Sequence, residues 1–156
     1  TLESIPAQNL WVEMYWEHAN DDMDLHLLAP GYSWQNYRDT DFDCYYANCV
    51  WSWLDWGQQN YSGDDPALDL DDISGTGPEN INIYEPADGT FQVYVHDFPS
   101  SIYTASNDVT VRIYVGGTLA YEDTKVVRGE DTYTHFATIE WSEEPVVIGP
   151  VAGRFN

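Results

Sequence analysis

The stretch DVTVRIYVGGTLAYEDTKVV, residues 108–127, decides the fold class. It is typical of two β-strands joined at Gly116-Gly117. Adjacent glycines suit a two-residue hairpin because both central residues of such a turn often take positive φ angles. The stretch therefore predicts an antiparallel hairpin.

Similar strand signals run along the rest of the chain, with almost no helix signals. In NLWVEMYW (9–16), Leu, Val, Met and Trp alternate with Trp, Glu and Tyr, as in a half-buried strand. Further strands are predicted at 23–29, 79–85, 90–98 and 133–141. About seven strands at this spacing predict one all-β domain over residues 1–156, an antiparallel β-sandwich of jelly-roll or Ig-like type. Residues 142–156 are predicted as a last strand or a linker.

The charge of the chain limits its partners. The formal net charge is -22, from 27 acidic and 5 basic residues. Such a field repels nucleic acid and anionic lipid and attracts cations. No apolar run approaches the roughly 20 residues of a membrane helix, so membrane insertion is not expected. The hydrophobic content of 43% indicates a chain that folds.

Cys44 and Cys49 lie close together in DCYYANC. No further cysteines complete a paired-cysteine zinc site, so we expect a local disulfide rather than two free thiols. Closing so small a loop contributes about 2 kcal/mol on the chain-entropy estimate. A disulfide predicts a secreted or cell-surface protein.

Acidic residues are concentrated in LDLDDISGTGPENI, residues 68–81. Carboxylate and amide oxygens on a glycine- and proline-rich turn suit calcium, which takes six to eight oxygen ligands in flexible geometry. A second group lies in DDMDLHLLAPG (21–31), where alternation would place acidic side chains on the face opposite the core. The predicted calcium ligands are Asp22, Asp24, Asp69, Asp71, Asp72, Glu79 and Asn80. The alternative is a solvated acidic loop.

These two acidic segments also carry a family resemblance. The first resembles D-x-D-L-H-x-x-x-P-x-G and the second L-D-x-D-x-x-x-G-x-G-P-E-N, followed by G-x-Y-x-V-x-V, the pattern of a bacterial family of exported domains of unknown function typified by YfaP. The likeness covers roughly residues 9–115, with Phe91 where the family often has tyrosine and no spacer between Pro30 and Gly31. The resemblance implies a β-sandwich accessory domain and supports a metal site, but it implies no activity.

Two histidines on predicted strands raise a second metal hypothesis. If the strands pair, His26 and His96 together with Asp24 would form a site for zinc or another transition metal. Strand histidines are more often hydrogen-bonded structural residues, and that interpretation is favoured here.

Residues 31–78 form a long insertion between predicted strands, and insertions of this length are usually functional or disordered. Its aromatic content favours a function. Exposed aromatic rings beside Asp, Asn and Gln are suited to holding sugars, whereas buried rings would form a small satellite core. The candidate ligand-binding residues are Trp34, Tyr45, Tyr46, Trp51, Trp53 and Trp56.

The sequence therefore predicts a non-catalytic, calcium-binding β-sandwich module that recognises carbohydrate or a cell-surface glycan. No nucleophile motif, metalloprotease motif or phosphate loop indicates an enzyme. The alternative function is a calcium-stiffened structural or peptide-binding module of an adhesin or secreted enzyme, with neighbouring domains of a larger chain as partners.

Overall fold

The computed structural model describes residues 9–32, 41–50, 54–69 and 75–150. These residues form an all-β protein with two antiparallel sheets of five strands each. The strands are β1 (Leu10–Trp16), β2 (Met23–Leu28), β3 (Asp43–Cys44), β4 (Ala67–Leu68), β5 (Glu79–Ile83), β6 (Gly89–Asp97), β7 (Asn107–Val115), β8 (Thr118–Val127), β9 (Tyr133–Trp141) and β10 (Val146–Ile148). The predicted fold class is confirmed.

The two sheets share one hydrophobic core. The first has the strand order β4-β5-β1-β7-β8 and the second β10-β9-β6-β2-β3. The core cluster takes side chains from both, such as Val12 and Val111 from the first sheet and Leu25 and Val93 from the second. The sheets therefore pack face to face as a sandwich.

Strand alternation places the core as the sequence predicts. On β1, Leu10, Val12, Met14 and Trp16 are buried, and the residues between them are half-buried. The β7–β8 hairpin turns at Gly116 and Gly117, whose φ angles are +56° and +80°. Both predictions are confirmed.

The face of β2 opposite the hydrophobic core is itself buried. All six residues of β2 are buried, including Asp24 and His26, which alternate with the core residues Met23, Leu25 and Leu27. Tyr45, from the segment 41–50, lies over this face and stacks on His26 at a ring-centroid distance of 4.9 Å. Sequence alternation alone cannot show that an insertion folds back over the second face of a strand.

The described parts of the 31–78 insertion contribute to both sheets. At one end β3 pairs with β2, and at the other β4 pairs with β5, so the insertion adds one edge strand to each sheet. Cys44 and Cys49 form the predicted disulfide, and both are buried. The backbone N–H of Leu68 donates to Cys49 O at 2.9 Å, which ties the disulfide loop to β4. A disulfide of this kind is typical of an oxidising compartment.

Two further features concern the ends of the predicted domain and its relation to membranes. Within 142–156, residues 146–148 form β10, which pairs with β9. Among the residues that the structure describes, no helix has the length and apolar character needed to cross a membrane.

Candidate metal site

Of the predicted calcium ligands in the 68–81 run, the structure describes Asp69, Glu79 and Asn80. Asp69 and Asn80 both accept hydrogen bonds from the side-chain amide of Asn82, each at 3.0 Å. Glu79, the neighbour of Asn80 on β5, is fully buried. Asp71 and Asp72 lie outside the described residues.

Glu79 connects the two motifs on which the family resemblance rests. Its Oε1 accepts a hydrogen bond from the backbone N–H of Leu25 at 3.4 Å, which links β5 of one sheet to β2 of the other. Gly77 precedes this glutamate at a φ of +90°, and a Cβ there would lie 2.9 Å from Met14 O and 3.3 Å from the Trp16 ring. This part of the acidic run therefore links the two sheets through Glu79 and lies close to the backbone of β1 at Gly77.

Three other carboxylates do converge. One oxygen each from Asp21, Asp97 and Glu130 lie within 4.8 Å of one another. Two ligands on opposite sides of a calcium ion are separated by about the same distance, twice a Ca–O bond of roughly 2.4 Å. Asp21 and Asp97 are buried, and Glu130 is half-buried. This cluster can hold a metal ion.

Strand register brings these three residues to one end of the sandwich. Met23, at the start of β2, pairs with Asp97 at the end of β6, and His96 pairs with Tyr133 at the start of β9. Asp21 precedes β2 and Glu130 precedes β9. Three segments remote in sequence thus meet where neighbouring antiparallel strands begin and end.

Neutral donors hold the carboxylate of Asp21 in place. Its Oδ2 accepts a hydrogen bond from Asn107 Nδ2 at 2.9 Å, and its Oδ1 accepts one from the backbone N–H of Asp22 at 3.1 Å. Ser101 Oγ lies 3.1 Å from Asp21 Oδ1, 3.0 Å from Glu130 Oε1 and 2.8 Å from Tyr103 O. A hydroxyl has a single proton to donate, so one serine cannot satisfy all three acceptors.

No lysine, arginine or histidine of the described residues forms an ion pair with the cluster. Within the described part of the chain, the ion pairs are His26–Asp43, His96–Asp24, His96–Asp131 and Arg112–Glu122. None includes Asp21, Asp97 or Glu130. Asp97 Oδ1 and Glu130 Oε2 are buried without a hydrogen-bond partner. Buried carboxylate oxygens without partners are costly and call for a cation or a proton.

The protonation of Asp97 reflects this environment. Burial, the negative charges of Asp21, Glu130 and Asp22, and a hydrogen bond with Asp21 together raise the pKa of Asp97 to about 8. Asp22, one of the predicted ligands, thus lies near enough to the cluster to act on it electrostatically. Without a bound cation, the site takes up a proton near neutral pH.

We expect the stability of the chelator-treated protein to fall as pH rises from about 4 to about 8. In this range folded Asp97 keeps a proton that the unfolded chain has released, so the free energy of unfolding decreases as pH increases. Thermal unfolding in a pH series with a chelator measures the slope. Because other acidic groups also titrate, Asp97→Asn is the control, and the variant should lose the part of the slope due to this residue.

None of the three clustered residues is among the seven predicted calcium ligands. Asp21 lies directly before Asp22 in the acidic segment, Asp97 follows His96 in a predicted strand, and Glu130 is in the turn VRGED. The available signal was that acidic residues stand at the ends of three predicted strands. This signal is useful only if β9, β6 and β2 are known to be neighbours in the sheet, and the alternation of residues along a strand does not show which strands are neighbours.

The two histidines of the second metal hypothesis lie in one buried aromatic cluster. His26 and His96 are 6.1 Å apart between ring centroids. His26 Nδ1 hydrogen-bonds to both oxygens of Asp43 at 2.9 Å, and His96 Nε2 bonds to Asp131 Oδ1 at 2.8 Å. Asp24 Oδ2 is 3.9 Å from His96 Nδ1. The contacts are those of hydrogen-bonded structural histidines, and the metal hypothesis stays a prediction.

Among the aromatic candidates, three lie in the described part of the insertion. Tyr45 and Tyr46 are half-buried, and Tyr45 covers His26. Trp56 is 4% exposed, and its Nε1 donates to Asp41 O at 2.7 Å. Its ring belongs to the hydrophobic core and also lines a surface cavity. Trp34, Trp51 and Trp53 lie outside the described residues.

Comparison with known proteins adds no relative. No family model, curated protein or solved structure matches the chain. The likeness to the YfaP family therefore stays a prediction from the motifs.

Proposed function

We propose that the protein is a calcium-binding β-sandwich module whose ion is held by Asp21, Asp97 and Glu130. The observation that carries the proposal is the convergence of these three carboxylates within 4.8 Å, with buried oxygens that lack partners. This site takes the place of the predicted ligand set in 68–81 as the centre of the calcium hypothesis.

The ligand chemistry favours calcium over other ions. The three side chains offer only oxygen, the preferred ligand of hard cations, and no thiolate or imidazole of the kind that selects zinc or copper. Two carboxylates come from the start of β2 and the end of β6 and one from a turn, a mixed set that suits flexible calcium geometry better than the strict octahedron of magnesium. Water or further protein oxygens would complete the shell.

Ion binding would join three segments at one end of the sandwich. The β1–β2 turn, the end of β6 and the turn between β8 and β9 would be cross-linked through one cation. The disulfide between Cys44 and Cys49 supports a location outside a reducing cytosol, where calcium is abundant. We therefore propose a secreted or cell-surface module, with calcium as a structural ion in the folded domain.

Calorimetric titration of calcium into the chelator-treated protein at pH 8 tests the proposal. We expect one site, and at 100 times the dissociation constant a stabilisation of about 2.7 kcal/mol. For a domain of this size that corresponds to a rise in melting temperature of roughly 5–10 °C. Sodium chloride at equal ionic strength separates binding from general screening of the negative charge.

Two glutamate-to-glutamine variants, each of which removes one negative charge, test where the ion binds. Glu130→Gln removes one proposed ligand and should weaken calcium binding at least tenfold, whereas Glu143→Gln alters an exposed residue of the β9–β10 turn and should not. The proposal would be contradicted if titration of the wild type with millimolar calcium gives no heat of binding. It would also be contradicted if the two variants bind calcium equally well.

A further inference from the structure

A second candidate site lies at the opposite end of the second sheet. A cavity of about 280 Å³ is lined by residues from the end of β2, the start of β6 and the 31–78 insertion. The carboxylate cluster lies at the start of β2 and the end of β6. Six strand residues at about 3.3 Å each place the two sites about 20 Å apart. The two sites are therefore independent.

Aromatic rings form the apolar part of this cavity. Tyr32 and Phe42, both half-buried, stack with centroids 3.9 Å apart and planes inclined by 9°. Trp56 is held at both ends, because its backbone N–H donates to Asp65 Oδ1 and its Nε1 donates to Asp41 O, each at 2.7 Å. Fixed aromatic rings of this kind offer preformed contact area at little cost in conformational entropy.

A buried carboxylate provides the polar part. Asp64 lines the cavity and is 6% exposed. Its Oδ2 accepts a hydrogen bond from the backbone N–H of Gln58 at 2.6 Å, but its Oδ1 is buried without a partner. Gly57 allows this approach, because a Cβ at that position would lie 2.4 Å from Asp64 Oδ2. The carboxylate of Asp64 is therefore a fixed acceptor in the wall of the cavity.

Size and charge restrict the ligand. The volume is near the lower limit of about 300 Å³ for small-molecule sites, which leaves room for one ring. A second cavity of about 260 Å³ shares Phe42 and Asp55 with the first, so two rings can lie side by side. Asp55, Asp64 and Asp88 line the first cavity without any lysine or arginine, which disfavours an anionic ligand.

We propose that this cleft binds two adjacent rings of an uncharged oligosaccharide. The flat apolar faces of the sugar rings would pack on Tyr32, Phe42 and Trp56, and sugar hydroxyls would donate to the carboxylates of Asp55 and Asp64 that line the cavity. The carbohydrate function expected from the sequence is thereby assigned to a defined cleft. Of the sequence candidates that the structure describes, Trp56 lines this cleft. The proposal does not depend on calcium.

Titration of the ¹⁵N-labelled protein with a panel of uncharged tetrasaccharides tests it by NMR. The probes are cellotetraose, maltotetraose, mannotetraose and the tetramer of N-acetylglucosamine, each to 10 mM, with tetragalacturonate as the anionic comparator. We expect at least one uncharged probe to shift the Trp56 indole N–H and the Gly57 and Gln58 amides, and the anionic comparator to leave them unchanged. The shifts should persist in chelator, so failure of the calcium proposal would not affect the result.

Matched variants complete the test. Asp64→Asn and Tyr32→Ala should each weaken binding at least tenfold, while Asp108→Asn and Tyr84→Ala, at exposed positions outside the cleft, should not. Circular dichroism establishes that each variant is folded. The proposal is overturned if no uncharged probe shifts the cleft resonances, or if the two cleft variants bind as the wild type does.

Discussion

Replacing Asp97 with Asn should stabilise the metal-free protein at pH 9 and abolish its stabilisation by calcium. Burial and neighbouring carboxylates oppose the ionised form of Asp97 and raise its pKa to about 8. Asparagine resembles the protonated acid in shape and carries no charge, so the variant escapes this repulsion. The same change removes a calcium ligand.

The expected effect in chelator is on the order of a few kcal/mol, because each pKa unit corresponds to about 1.4 kcal/mol. This should appear as a melting temperature roughly 5–10 °C above that of the wild type at pH 9, with the difference vanishing at pH 4. Saturating calcium should then reverse the order of the two proteins. A variant that is less stable than the wild type in chelator at pH 9 would show that Asp97 has a structural role other than cation binding.

The second large effect is expected from His26→Ala. His26 is fully buried, its Nδ1 hydrogen-bonds to both Asp43 oxygens at 2.9 Å, and its ring stacks on Tyr45. Removing one partner of a buried ion or hydrogen-bonded pair typically costs about 3–5 kcal/mol, because the remaining carboxylate keeps its desolvation penalty. Denaturant unfolding of the variant measures the loss.

His18→Ala is the matched control, since the His18 side chain is exposed and its ring stacks on Tyr103. Its cost should be below about 1 kcal/mol. The experiment also separates the two interpretations of His26. If the residue is structural, the loss is the same with and without chelator, whereas a metal role predicts that chelation destabilises the wild type to the level of the variant.

Much of the fold could be predicted because its determinants are local. Alternation on β1 and the Gly116-Gly117 turn between β7 and β8 each depend on residues that are neighbours in sequence. The disulfide loop is equally local, since Cys44 and Cys49 close a short segment. Patterns of this range are read directly from periodicity and turn chemistry.

The candidate metal site could be predicted in kind but not in position. Net charge and acidic runs indicate cation binding, yet Asp21, Asp97 and Glu130 are remote from one another in sequence and meet only because β2, β6 and β9 are neighbours. Local spacing pointed instead to Glu79, which the structure uses to link β5 to Leu25 of β2. A dense acidic run is a recognisable local pattern in the sequence, whereas a site formed by residues at the ends of separate strands has no such local pattern.

The burial of Asp24, His26 and His96 illustrates the same limit. Alternation correctly placed Asp24 and His26 opposite the core, but the fold covers that face with the segment around Tyr45. Whether the second face of a sheet is wet or dry depends on where long insertions fold, and their composition does not determine this.

The most direct test of calcium binding by the carboxylate cluster is the structure of a crystal grown in the presence of calcium, with anomalous scattering used to locate the ion. We expect one peak between the carboxylates of Asp21, Asp97 and Glu130, with oxygen distances of about 2.3–2.6 Å. A peak at Asp69 and Asn80 instead, or a calcium-saturated crystal without a peak among the three carboxylates, would contradict this expectation.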